Sequence, residues 1–141
     1  MIPELDDAVL DHIAIAVSSL DRMKVWQDLG LKFEDKREVV ADQGVTTAFA
    51  PIDQHAHLEL LEPTGPDTPI GKFIATRGEG LHHLCFKVKD VKAKQKELEA
   101  LGYKFIYPEL RIGAGGCLVN FIHPKSTGGV LIEISSGRSH T

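Results

Sequence analysis

The sequence predicts an α+β fold assembled from two halves that each run β-α-β-β-β. Three observations carry that prediction. First, Leu10-Asp11-His12-Ile13-Ala14-Ile15-Ala16-Val17 alternates with the period of a strand, and the pattern returns in His82-His83-Leu84-Cys85-Phe86-Lys87-Val88. This sets His83 against His12 at an offset of 71 residues. Second, Leu29-Gly30 followed by Leu31-Lys32-Phe33 is matched by Leu101-Gly102 followed by Tyr103-Lys104-Phe105, at an offset of 72. Third, Leu58-Glu59-Leu60 is matched by Ile132-Glu133-Ile134, at an offset of 74. The small drift is what loop insertions between two copies would give.

Each element has its own signal. Met1 to Val9 reads as an irregular lead-in. The strand Leu10 to Val17 ends at Ser18-Ser19, two candidate helix caps. Leu20, Met23, Trp26 and Leu29 fall at helical spacing, so a helix spans Leu20 to Leu29, and Gly30 stops it. Leu31-Lys32-Phe33 begins a strand expected to run through Val39-Val40, and Asp42-Gln43-Gly44 is a turn. Val45 to Ala50 is a strand ended by Pro51, Asp53 to His57 is a polar turn, and Ala56 to Leu61 is a strand ended by Glu62-Pro63. A connector follows from Thr64 to Gly80, with a short helix around Ile70 to Arg77. The second half repeats the order. It has a strand from His82 to Val88, a helix from Val91 to Leu101 capped by Asp90 and stopped by Gly102, and a strand from Tyr103 to Tyr107. Pro108 to Gly116 is a loop, Cys117 to Ile122 a strand, His123 to Ser126 a turn, Val130 to Ile134 the last strand, and Ser135 to Thr141 a frayed tail. The chain is therefore expected to be one domain over 1–141: module one at about 10–62, a connector at 63–80, and module two at about 81–136.

Composition narrows the function classes. With 141 residues, 43% hydrophobic and 26% charged, the chain can bury a core without disulfides. A net charge of −4 with no basic stripe argues against nucleic acid as the partner. No apolar run approaches membrane-spanning length, and the N-terminus lacks a basic signal region, so a cytoplasmic location off the membrane is expected. Cys85 and Cys117 lack metal or disulfide spacing. Cys85 reads as a buried thiol, and Cys117, in a glycine-rich stretch, as a surface one.

Four residues stand out. His12 shares a strand face with Ala14 and Ala16, which leaves space beside the ring. Glu59 lies between leucines and Glu133 between isoleucines. If those leucines and isoleucines pack on the helices, both glutamates face the other way, as do His12 and His83. A carboxylate among apolar strand residues is costly unless paired or bound to a cation. Two imidazoles and two carboxylates on one face make a plausible divalent-metal site. Singly, a strand histidine is more often structural and such a glutamate more often solvated; duplication of the set is what raises it. No short metal signature such as HExxH is present. Of the other histidines, His55, His57 and His140 read as solvated, His82 as pointing to the face opposite His83, and His123 as part of a turn.

At these residues the sequence resembles the vicinal oxygen chelate (glyoxalase/bleomycin resistance/dioxygenase) superfamily, and within it the methylmalonyl-CoA epimerases. The matching segments are Asp11 to Val17, Leu58-Glu59-Leu60-Leu61-Glu62-Pro63, Gly80-Leu81-His82-His83, Asn120-Phe121-Ile122-His123-Pro124-Lys125 and Gly129-Val130-Leu131-Ile132-Glu133-Ile134. The histidine strand is common in the superfamily; the last three segments are more specific to the epimerases. The resemblance implies paired βαβββ modules forming a cup-shaped eight-stranded mixed sheet with helices on its outer face. It implies one divalent metal held by His12, Glu59, His83 and Glu133; the position of Glu59 is glutamine in some relatives. Cobalt is the expected ion, with nickel, manganese, zinc and iron as alternatives.

The activity implied is epimerisation of methylmalonyl-CoA or a close acyl-CoA, inverting the carbon α to the thioester through a metal-stabilised enolate. Glu133 is assigned as the catalytic base. Lys125 is assigned to the anionic end of the CoA substrate; a solvated turn lysine is the other reading. Two positions depart from the pattern. Thr47 stands where some relatives carry a glutamate, and Leu118 where relatives often have arginine. Asp42 is the nearest acid in sequence to Thr47. The competing functions are another enzyme of the superfamily, such as a glyoxalase-like lyase, and a metabolite-binding module without catalysis. A homodimer is expected.

Overall fold

The computed structural model describes residues 8–136. The lead-in before residue 8, the end of the tail and His140 lie outside them. Eight strands form one mixed sheet in the order β2-β3-β4-β1-β5-β8-β7-β6. The strands are β1 (Val9–Ala16), β2 (Glu38–Val40), β3 (Val45–Pro51), β4 (His57–Pro63), β5 (Gly80–Lys87), β6 (Arg111–Ile112), β7 (Leu118–Ile122) and β8 (Ile132–Ser135). The helices are α1 (Met23–Asp28), α2 (Pro69–Arg77) and α3 (Val91–Ala100). Within each half the order is the same: β2-β3-β4-β1 in the first, β6-β7-β8-β5 in the second. The described residues divide into two compact units, residues 12–83 and residues 8–11 together with 84–136.

In the first unit β1 pairs in parallel with β4, and β3 pairs antiparallel with both β4 and β2. One sheet face carries Val17, Ala48, Ala50, Leu58 and Leu60, packed against Ile15, Leu20, Met23, Trp26, Leu31 and Phe33. Burying each large side chain of this kind contributes roughly 1.5–3 kcal/mol. The leucines flanking Glu59 therefore do face the helix, and Glu59 faces away. The expected ten-residue helix is split: Leu20–Arg22 is a 3-10 turn, and α1 follows. The Ser19 hydroxyl accepts from the Asp21 amide, fixing a tight first turn. Glu79, at the end of the connector, accepts from the Ser18 amide and the Arg22 side chain. The amide bond first, and then Arg22, hold its carboxyl down at about 2.

Helices α1 and α3 close identically, as the repeat requires. Leu31 N donates to Trp26 O and Gly30 N to Gln27 O; Tyr103 N donates to Leu98 O and Gly102 N to Glu99 O. This is the Schellman closure, which needs a left-handed residue after the helix. Gly30 (φ +112°) and Gly102 (φ +99°) supply it.

Two expected strands are absent. Leu31 to Phe33 and Tyr103 to Tyr107 lie outside the ladder, save for one bridge between Phe105 and Ile122. Leu31 and Phe33 alternate because they pack into the first core, with no strand bonded to them; Glu34 N alone reaches Phe49 O, and pairing starts at β2. In the second half Asn120 displaces the ladder. Its side chain accepts from Tyr107 N and donates to Tyr107 O and to Gln95 of α3, a fully buried amide replacing a strand partner. The Pro108 to Gly116 loop instead contains β6 and a 3-10 turn at Ala114–Gly116. The other boundaries agree within two residues.

In the second unit β5 pairs in parallel with β8, and β7 pairs antiparallel with β8 and β6. Val88, Val91 and Ile134 form its core with Phe105 and Leu110. Cys85 is fully buried, as expected. Cys117 is half-buried rather than at the surface: its thiol donates to Ala114 O at 2.9 Å, and burial raises its pKa. Among the described residues no helix is long and apolar enough to cross a membrane.

Candidate metal centre

The parallel β1–β4 ladder sets His12 opposite His57 and Ala14 opposite Glu59. With Ala14 and Ala16 on the same face, nothing bulky on β1 fills the space beside His12. His12, Glu59 and His83 are all deeply buried, at 8%, 5% and 6% exposure. His12 Nε2 lies 3.2 Å from His83 Nε2 and 3.3 Å from Glu59 Oε2. The three residues singled out in the first unit thus meet through one nitrogen.

Each of those two distances suits a pair of neighbouring ligands on one cation. Metal–imidazole bonds of about 2.1 Å place neighbouring ligand atoms about 3.0 Å apart in an octahedron and about 3.4 Å apart in a tetrahedron. Both distances from His12 Nε2, taken pair by pair, fall in that interval. The donor set, two imidazole nitrogens and a carboxylate oxygen, suits a first-row divalent ion. A carboxylate buried this deeply also costs several kcal/mol unless positive charge is beside it.

Glu133 occupies the matching register in the second unit. On β1 and β4 the glutamate pairs with Ala14, two residues after His12; on β5 and β8 Glu133 pairs with Cys85, two residues after His83. Glu133 is 6% exposed and lies opposite Phe121 on its other side, while its neighbour Ile134 points into the core with α3.

Two histidines depart from their expected places. His57 is the first residue of β4, not part of a solvated turn: its side chain is 16% exposed, its ring is 5.1 Å from that of His12, and its Nε2 is 3.9 Å from Glu59 Oε2. Period two was the signal for it, since a residue two before an inward glutamate also faces inward. His82 does not turn away from His83, because their Nδ1 atoms are 2.7 Å apart. His123 caps the 3-10 turn Pro124–Ser126, its Nδ1 accepting from the Lys125 amide. Lys125 itself is exposed.

Thr47 is fully buried, and its hydroxyl donates to the Glu38 carbonyl at 3.3 Å. That bond occupies its proton. Asp42 sits on an exposed turn. Leu118 is exposed and pairs with Ile112, while Arg111 on β6 lies over the Tyr107 ring at 4.6 Å.

Known proteins resemble the chain over most of its length. A model of the glyoxalase/bleomycin resistance protein/dioxygenase superfamily matches residues 11–121. The mitochondrial methylmalonyl-CoA epimerase of Dictyostelium discoideum is 37% identical over 128 residues, covering 89% of this chain and 76% of that protein. The ethylmalonyl-CoA/methylmalonyl-CoA epimerase of Cereibacter sphaeroides is 33% identical over 133 residues, covering 89% and 95%. A solved variant of Streptomyces coelicolor methylmalonyl-CoA epimerase, in complex with 2-nitronate-propionyl-CoA, superposes with a TM-score of 0.84 at 36% identity, covering 92% of this chain and 97% of that one.

Proposed function

The chain belongs to the glyoxalase/bleomycin resistance/dioxygenase superfamily, and on that premise we propose that it is an isomerase that epimerises methylmalonyl-CoA or a close acyl-CoA. The observation that carries the reading is the buried meeting of His12, Glu59 and His83 through one imidazole nitrogen. Similarity to two named epimerases over 89% of the chain supplies the reaction class.

His12, Glu59, His83 and Glu133 hold one divalent ion, with cobalt the favoured occupant. Support for Glu133 as the fourth ligand is its register, which repeats that of Glu59. When bound, the ion acts as a Lewis acid toward the negative charge that develops on the substrate oxygens. Glu133 takes the proton from the carbon between thioester and carboxylate, and a second donor, water or another side chain, returns a proton to the opposite face to complete the inversion. Ala14 and Ala16 leave room on the site face for the acyl group. Thr47 gives up no proton to the opposite face, because its hydroxyl is committed to Glu38. The chain acts as a homodimer in the cytoplasm. The direct test is exchange of the substrate C2 hydrogen with heavy water.

Lys125 holds the anionic end of the CoA moiety. Its exposed position on a 3-10 turn leaves the ammonium group accessible to a phosphate. Lys125→Ala should raise KM for the CoA substrate several-fold at low salt and leave kcat unchanged. The difference should shrink as salt rises, because exposed charges are screened. An unchanged KM at low salt would remove Lys125 from the substrate site.

A further inference from the structure

We infer that His82 is a positioning residue that fixes the tautomer of His83. This rests on the reading of His83 as a metal ligand. The two residues are neighbours on β5, and strand alternation alone would turn their rings apart. Their Nδ1 atoms nevertheless approach to 2.7 Å. Two bare nitrogen lone pairs repel at that distance, so one of the two nitrogens carries a proton and donates it to the other.

A neutral imidazole carries one ring proton. With it on Nδ1 of His83, pointing at His82, the Nε2 of His83 is a bare lone pair. That Nε2 is the atom 3.2 Å from His12 Nε2. The opposite arrangement would put a hydrogen on the very atom that must face a cation. His82 is thus the acceptor that keeps the ligand nitrogen open, a part that carbonyls and carboxylates often play behind metal-bound histidines.

The acceptor is itself held. The His82 ring meets Phe73 of α2 at 4.8 Å between centroids and 76° between planes. The Arg77 guanidinium lies 5.7 Å from the centre of the same Phe73 ring. The connector helix therefore anchors the ring that orients the ligand.

Two substitutions separate positioning from bulk packing. Asparagine can place an oxygen acceptor near the Nδ1 position; leucine fills the space without one. Binding of cobalt(II) is measured by competition with a chromophoric chelator. His82→Leu should weaken it about 10- to 100-fold, the usual cost of losing such a partner, and His82→Asn should stay within a few-fold of the parent. In the metal-free chain, nitrogen-15 spectra should show His83 protonated on Nδ1, with that preference lost in His82→Leu. The inference is overturned if His82→Leu binds cobalt as tightly as the parent, if His82→Asn is as weak as His82→Leu, or if His83 carries its proton on Nε2 in the parent chain. Failure of the parent to bind any divalent ion would instead overturn the metal reading. The nitrogen spectra then decide the tautomer by themselves.

Discussion

Glu133→Gln should keep its divalent ion and lose C2 proton exchange by about a hundredfold or more, the usual contribution of a positioned base. The substitution preserves size and one oxygen donor while removing basicity. Its environment explains the choice of residue. Glu133 is buried, and Ile134 beside it is fixed in the core with α3. Burial alone would push a carboxyl toward its neutral form. A bound cation would act in the opposite sense and keep it ionised, which would leave a base ready at neutral pH. Thr47 sharpens the prediction. With its hydroxyl bonded to Glu38, it offers no substitute when Glu133 is lost. Near-normal exchange by a metal-loaded Glu133→Gln chain would place the base elsewhere, with the exposed Asp42 the first candidate to test.

His83→Ala should abolish stoichiometric metal binding and, with it, activity. Removing a direct ligand costs more than removing a group that only orients one, so affinity should fall by well over about a hundredfold. Loss of Lewis-acid stabilisation worth several kcal/mol should slow turnover by about a thousandfold or more. Elemental analysis after dialysis reads the first effect, and conversion of one substrate epimer reads the second. The fold should survive, because His83 belongs to neither hydrophobic core. Full metal occupancy in the variant would remove His83 from the ligand set.

Much of this site is legible in the residues. Alternation along Leu10 to Val17 and His82 to Val88 places both strands, and flanking leucines turn Glu59 inward. Both follow from a side-chain period that the ladder enforces. His57 was obscured by its polar neighbours Asp53 and His55, although the period counted back from Glu59 reaches it. His82 carries no such signal: the approach of two adjacent rings depends on side-chain rotation, which the pattern of residues does not record. The strands read at Leu31 and Tyr103 failed for a related reason. Apolar alternation reports which side chains are buried, and a strand also needs a backbone partner. At Tyr107 that partner is the side chain of Asn120.

Exchange of the C2 hydrogen of methylmalonyl-CoA into heavy water tests the central claim most directly. The chain loaded with one equivalent of cobalt should incorporate deuterium at C2 as fast as, or faster than, it interconverts the epimers. The same chain stripped by a chelator should do so at a small fraction of that rate and recover on reloading. Loaded chain that leaves C2 unexchanged, or stripped chain that exchanges as fast as loaded, would contradict it.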